Sequence, residues 1–99
     1  MSSPHLPDPW APVGAAQAQS LEQELRRELC PDHALAGIEV ECLARRADQD
    51  DVLFRLRGHE SEFAIVHLTW TRESVPEWPA TAFFANAEDL ADNWRRIDE

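Results

Sequence analysis

The chain has no lysine and no tyrosine, and in its 99 residues it has only three glycines, two cysteines and one methionine. Three scattered glycines cannot build a phosphate-cradling loop. Two cysteines are too few for a disulfide framework, and in a reducing compartment buried free thiols are the ordinary state. No apolar run approaches the roughly 20 residues that span a bilayer. The first residues, "MSSPHLPDPWAPVG", have neither a basic region nor an apolar stretch, so they do not read as a secretory signal, and a cytoplasmic protein is expected. Positive charge is also scarce. Nine arginines stand against 19 carboxylate residues, for a formal charge of −10. That balance argues against duplex nucleic acid and anionic membranes as partners, and permits a basic protein. Arginine as the sole strong base, with fourteen alanines, is the composition of a GC-rich bacterial genome.

What is present is sufficient for one domain. The chain is 43% hydrophobic and 28% charged, above the low-hydrophobicity range of disordered proteins. Residues 1–14 hold four of the seven prolines and no periodic pattern. They read as a flexible proline-rich tail, in which Trp10 is the residue able to pin it to the body, with residues 15–99 as the domain. In "AQAQSLEQELRREL", Ala18, Leu21, Leu25 and Leu29 recur at helical spacing, Ser20 with Gln23 fits a capping box, and Pro31 ends the helix.

Three period-two runs follow, "IEVECLARR", "DVLFRLR" and "EFAIVHLTW", joined by the short polar connectors "ADQD" and "GHES". "TAFF" is a candidate fourth strand. Asn86 is a good N-cap for a last helix over residues 87–97, whose stripe is Ala87, Leu90, Ala91, Trp94 and Ile97. The expected fold is α+β: an N-terminal helix, a three-stranded antiparallel meander with the candidate fourth strand, and a C-terminal helix. Both helices are expected on one face of the sheet, over Val40, Cys42, Val52, Phe54, Val66, Leu68 and Trp70. Opposite charges pair if Glu39 faces Arg57 and Glu41 faces Arg55; the same reasoning sets Leu53 opposite His67 and Leu43 beside both.

Candidate chemistry is thin. His67 lies on the opposite side of its strand from Val66 and Leu68, and reads as a half-exposed sheet residue. Cys30, His33 and Cys42 have soft-ligand character, but no second pair completes a zinc set, so neither metal nor cofactor is expected. "DQDD" over residues 48–51 lacks the glycine and closing glutamate of a calcium loop and reads as a solvated hairpin turn. No nucleophile elbow surrounds Ser61 or Ser74. The sheet's other face mixes arginines with Leu43, Leu53, Phe63 and Ile65, a surface suited to protein contact, whether with a basic partner or with a second copy. That face could also be covered by residues 71–86. The expected function is therefore a non-enzymatic interaction module. The alternative is a small-molecule binder or enzyme, with Trp70, Trp78, His67 and Asp51 around a pocket.

The stretch "DDVLF…AIVHLTW…EWPAT" resembles a family of small bacterial proteins that carry an "HLTW" strand followed by a "WP" loop. The likeness covers about residues 50–94. It implies a self-contained bacterial domain and no particular mechanism.

Overall fold

The computed structural model describes residue 6, residues 9–71 and residues 78–95. Five strands form one antiparallel sheet in chain order: β1 Trp10–Pro12, β2 Glu39–Arg46, β3 Asp51–Arg57, β4 Phe63–His67 and β5 Ala80–Phe84. Helix α1 covers Ala15–Glu28 and helix α2 covers Ala87–Asn93. The α+β class is the expected one, and "TAFF" does form a strand. The expected strand count is too low, because Trp10–Pro12, assigned above to a tail, pairs with β2. Pro12 is tolerated there because an edge strand has one side free of ladder bonds. The Trp10 ring is buried.

The helices occupy opposite faces of the sheet, which corrects the single-face expectation. On one face, Leu21 and Leu25 of α1 pack with Val40, Cys42, Val52, Phe54, Ala64, Val66 and Leu68. On the other, Leu90 and Trp94 join Leu6, Trp10, Leu53, Phe63, Ile65 and Phe84. Leu53, Phe63, Ile65 and Phe84 form too large an apolar surface to leave wet, and a second helix with two flanking segments covers it. Strands β3 and β4 are therefore buried on both sides, as central strands are when both faces carry cover.

Helix α1 starts at an N-cap Gly14, ahead of Ser20, and ends with Leu29 in extended backbone, two residues before Pro31. Its buried stripe is Leu21, Leu25 and Glu28. Asn86 caps α2 by accepting from the Asp89 N–H at 2.8 Å, and Asp89 in turn accepts from the Ala85 N–H at 2.8 Å. Ile97, the end of the predicted stripe, lies outside the described residues, as do Ser74 and Pro76 in the loop after β4.

Register decides what meets what. Glu39 faces Arg57 and Glu41 faces Arg55, as charge pairing requires. A bulge at Leu43 then adds a residue to β2, so that Ala44 faces Leu53 and Arg45 faces Val52. Between β3 and β4, Leu53 faces Ile65 and Asp51 faces His67. The predicted Leu53–His67 pairing is thus two residues out. A two-residue slip leaves every side chain on its own face, so alternation of polar and apolar residues cannot exclude it.

Candidate functional site

One end of the sheet brings together Arg46, Asp51, His67 and Glu28. Strand β1 begins there opposite Arg46, β3 begins there with Asp51, β4 ends there with His67, and β5 begins there with Ala80, the partner of His67. The C-terminal end of α1 reaches the same end through Glu28.

On the α2 side, the Asp51 side chain is 1% exposed and accepts two bonds. One comes from His67 Nδ1 at 2.7 Å and the other from Arg46 Nη1 at 3.4 Å. "DQDD" is therefore only partly a solvated turn, because its last carboxylate points inward. The bulge is what places arginine here: it reverses the facing of the residues after Leu43, so Arg46 instead of Arg45 joins Asp51. Arg46 also binds Asp48, Nε to Oδ1 at 2.8 Å, and stacks 5.3 Å from the centre of the Trp94 ring. Arg95 lies 4.8 Å from the same ring, and Trp10 meets it edge-on at 6.0 Å. The His67 side chain is 43% exposed. Asp51 as an anion can only accept, so the proton of that bond sits on Nδ1 and a neutral His67 presents an unprotonated Nε2.

On the α1 side, Glu28 is a fully buried carboxylate. It accepts from the Thr69 N–H at 2.8 Å, the Thr69 hydroxyl at 3.0 Å and the Trp70 N–H at 2.9 Å. Burial raises its pKa above the ordinary carboxylate value, and a bond with Glu24 pushes the same way, outweighing the three donors. The clamp holds the chain where Trp70 turns into the left-handed region, at φ 59°. Arg45 stacks 6.0 Å from the Trp70 ring centre. Trp70 is 45% exposed and Trp78 is 47% exposed.

His33 is buried and has both ring nitrogens engaged: Nδ1 accepts from the Leu35 N–H at 3.0 Å, and Nε2–H donates to the Pro79 carbonyl at 2.9 Å. It ties the segment after α1 to the start of β5. Cys30 and Cys42 are free and buried. Burial, with a contribution from Glu22, pushes the Cys42 thiol up to about 12. Among the described residues, no three His, Cys, Asp or Glu side chains are grouped so as to hold a metal. No helix among them is long and apolar enough to cross a membrane.

Of the residues that sequence reasoning grouped, the structure brings His67 and Asp51 together and separates the rest. Leu53, Phe63 and Ile65 are buried inside the chain, and Leu43 packs partly against the same cluster, so the expected open binding face is a second core. Trp70 and Trp78 do not serve the core, as the periodicity had placed Trp70; both are surface residues. His67 keeps the predicted facing, but its neighbour is Asp51, while Trp70 turns to Arg45 on the opposite side of the sheet. The expected pocket shared by His67 and Trp70 is therefore split in two. Glu28 is a site residue absent from the sequence reading, although a glutamate three residues after Leu25 on a leucine stripe is a readable signal of a buried acid. No family model, curated protein or solved structure matches the chain.

Proposed function

We propose that this chain is a small, acidic, non-enzymatic interaction domain of the bacterial cytoplasm, which docks a basic protein at the sheet end carrying Trp70 and Trp78. The observation that supports this most directly is the conformation of Trp70. Side-chain-bearing residues seldom occupy the left-handed region, which glycine or asparagine enters at lower cost. Here a tryptophan is held there by a buried carboxylate, yet nearly half of it stays in solvent. Core packing gains nothing from that exposure, and costly backbone under a surface aromatic is the pattern of a functional loop. Trp78 leaves the same sheet end, two residues before the partner of His67. Tryptophan is among the residues enriched at the energetic hot spots of protein interfaces.

Charge selects the partner. A net −10 repels a second copy and attracts a cationic surface, and the exposed Asp48 and the partly buried Asp50 on the β2–β3 hairpin lie at this end. Membership of the small bacterial family with an "HLTW" strand and a "WP" loop is part of the same proposal.

The test is affinity capture from the source lysate, with mass spectrometry of the protein and small-molecule fractions. It is run with the wild type and with the double variant Trp70→Ser, Trp78→Ser. A stoichiometric basic protein held by the wild type and lost by the double variant is the expected result. A retained metabolite in its place would move the reading to a ligand-binding protein. A dimer in sedimentation that the double variant dissolves would make the surface a self-association site.

A further inference from the structure

The described histidines differ in which nitrogen they offer to solvent. His33 is buried with both nitrogens occupied. His59 accepts the Ser61 N–H on Nδ1 at 3.0 Å, so its neutral form carries the proton on Nε2; its ring stacks on Phe83 at 5.3 Å. His67 is arranged the other way round. A buried carboxylate accepts the hydrogen bond of its Nδ1–H, the side chain is partly open to solvent, and Nε2 has a free lone pair and no partner among the described residues. A nitrogen with a free lone pair is a nucleophile and a protonated one is not.

We propose that His67 is a phosphoryl-accepting nucleophile, with Asp51 as the positioning residue behind it. The substrate class is a small high-energy phosphoryl donor, a phosphoramidate or an acyl phosphate. The Nε2 lone pair attacks phosphorus. The N–P bond forms as the bond from phosphorus to the leaving group breaks, and the electron pair departs with that group as ammonia or carboxylate. Nothing is oxidised or reduced. The Nδ1 proton stays between the ring and Asp51, so positive charge developing on the imidazole meets a carboxylate already in place. The phosphoryl group is anionic, and in a chain of −10 it needs local relief. Arg46 shares the same carboxylate, and with Arg95 it stacks on Trp94, so this face carries two guanidinium groups. The phosphoryl group ends on His67 itself, so the domain is an acceptor and not a turnover enzyme, and the proposal does not depend on the docking surface at Trp70 and Trp78.

Asp51→Asn separates positioning from shape. Arg46 can only donate, so the new amide must turn its oxygen toward Arg46 and its NH2 toward His67. Nδ1 then becomes the acceptor and the proton moves to Nε2, which removes the nucleophile. The probe is potassium phosphoramidate on the full chain, read by intact mass, 31P NMR and peptide mapping. Long-range 1H–15N spectra report which nitrogen carries the proton. The expected result is one added phosphoryl group on His67, absent in His67→Gln and lost or strongly slowed in Asp51→Asn, whose spectrum shows the Nε2–H tautomer. An unlabelled wild type, or label reaching His5 or His59 as fast as His67, overturns the proposal. A wild-type spectrum with the His67 proton on Nε2 overturns it too, whether or not the Asp51 variant folds.

Discussion

Replacing Glu28 with alanine tests how the sheet end is held. The carboxylate accepts two backbone N–H groups and one hydroxyl across the gap between α1 and the exit of β4. In the alanine variant both backbone donors lose their acceptor. An unsatisfied buried donor costs about 1–3 kcal/mol, and the low end applies because Thr69 is only partly buried and Trp70 is exposed. That gives about 2 kcal/mol for the pair. The lost methylene adds about 0.8 kcal/mol, and the space it leaves adds a further increment. Relief from burying a charge, the cause of the raised pKa, offsets part of this. The net expectation is a loss of about 2 kcal/mol. For a domain of this size that lowers the melting temperature by roughly 8–16 °C. Urea denaturation measures the loss, and amide exchange by NMR locates it, with Thr69 and Trp70 losing protection first. A loss below about 0.5 kcal/mol, with both amides protected as in the wild type, would show that the turn stands without Glu28 and that Trp70 is held by other means.

Glu28→Gln reports the sign of the same group's titration. Its folded pKa is raised, so the stability it contributes is complete below the unfolded value and is lost as pH rises through the folded value. The wild type should therefore gain on Glu28→Gln as pH falls from about 7 to about 4, and a constant gap in urea midpoints would contradict the raised value. Trp10→Ala and Trp94→Ala should each cost about 3–5 kcal/mol, and the double variant less than their sum by about 0.5–1.5 kcal/mol, because the two rings meet edge-on. Strict additivity in denaturation would mean that the contact contributes nothing. A chain beginning at Ala15 should lose at least as much as Trp10→Ala, since it lacks β1 as well. Cys42, buried and with its thiol pushed up to about 12, should react with a disulfide reagent only through unfolding, and prompt reaction in native buffer would refute its enclosure.

Much of the candidate site was out of reach of sequence reasoning for identifiable reasons. The facing of His67 was legible, because alternation fixes which side of a strand a residue takes. Its partner was not, because a slip of two residues conserves facing, and Asp51 replaced Leu53 through just such a slip. Arg46 was illegible for a related reason: "ARR" offers two arginines, and a single-residue bulge chose between them. The placement of the second helix failed differently. By pattern alone Leu53, Phe63 and Ile65 read as an apolar face for a partner, whereas the chain covers them itself with α2, Trp10 and Leu6.

The sequence by itself determined the local facts: an amphipathic first helix that stops before Pro31, an Asn86 cap, strands at period two, and a charge of −10. These follow from steric limits and alternation within a few residues, which any fold of this chain must respect. The tertiary structure alone decided that three residues near the N-terminus become a fifth strand and that two cores form where one was expected. It also decided that Asp51 and Glu28 are buried, and that Trp70 is turned outward in a left-handed bend. Each of these depends on free-energy differences between packings that share the same local pattern. Registers two residues apart, and one face or the other for a helix, are distinguished only when side chains distant in the chain come into contact.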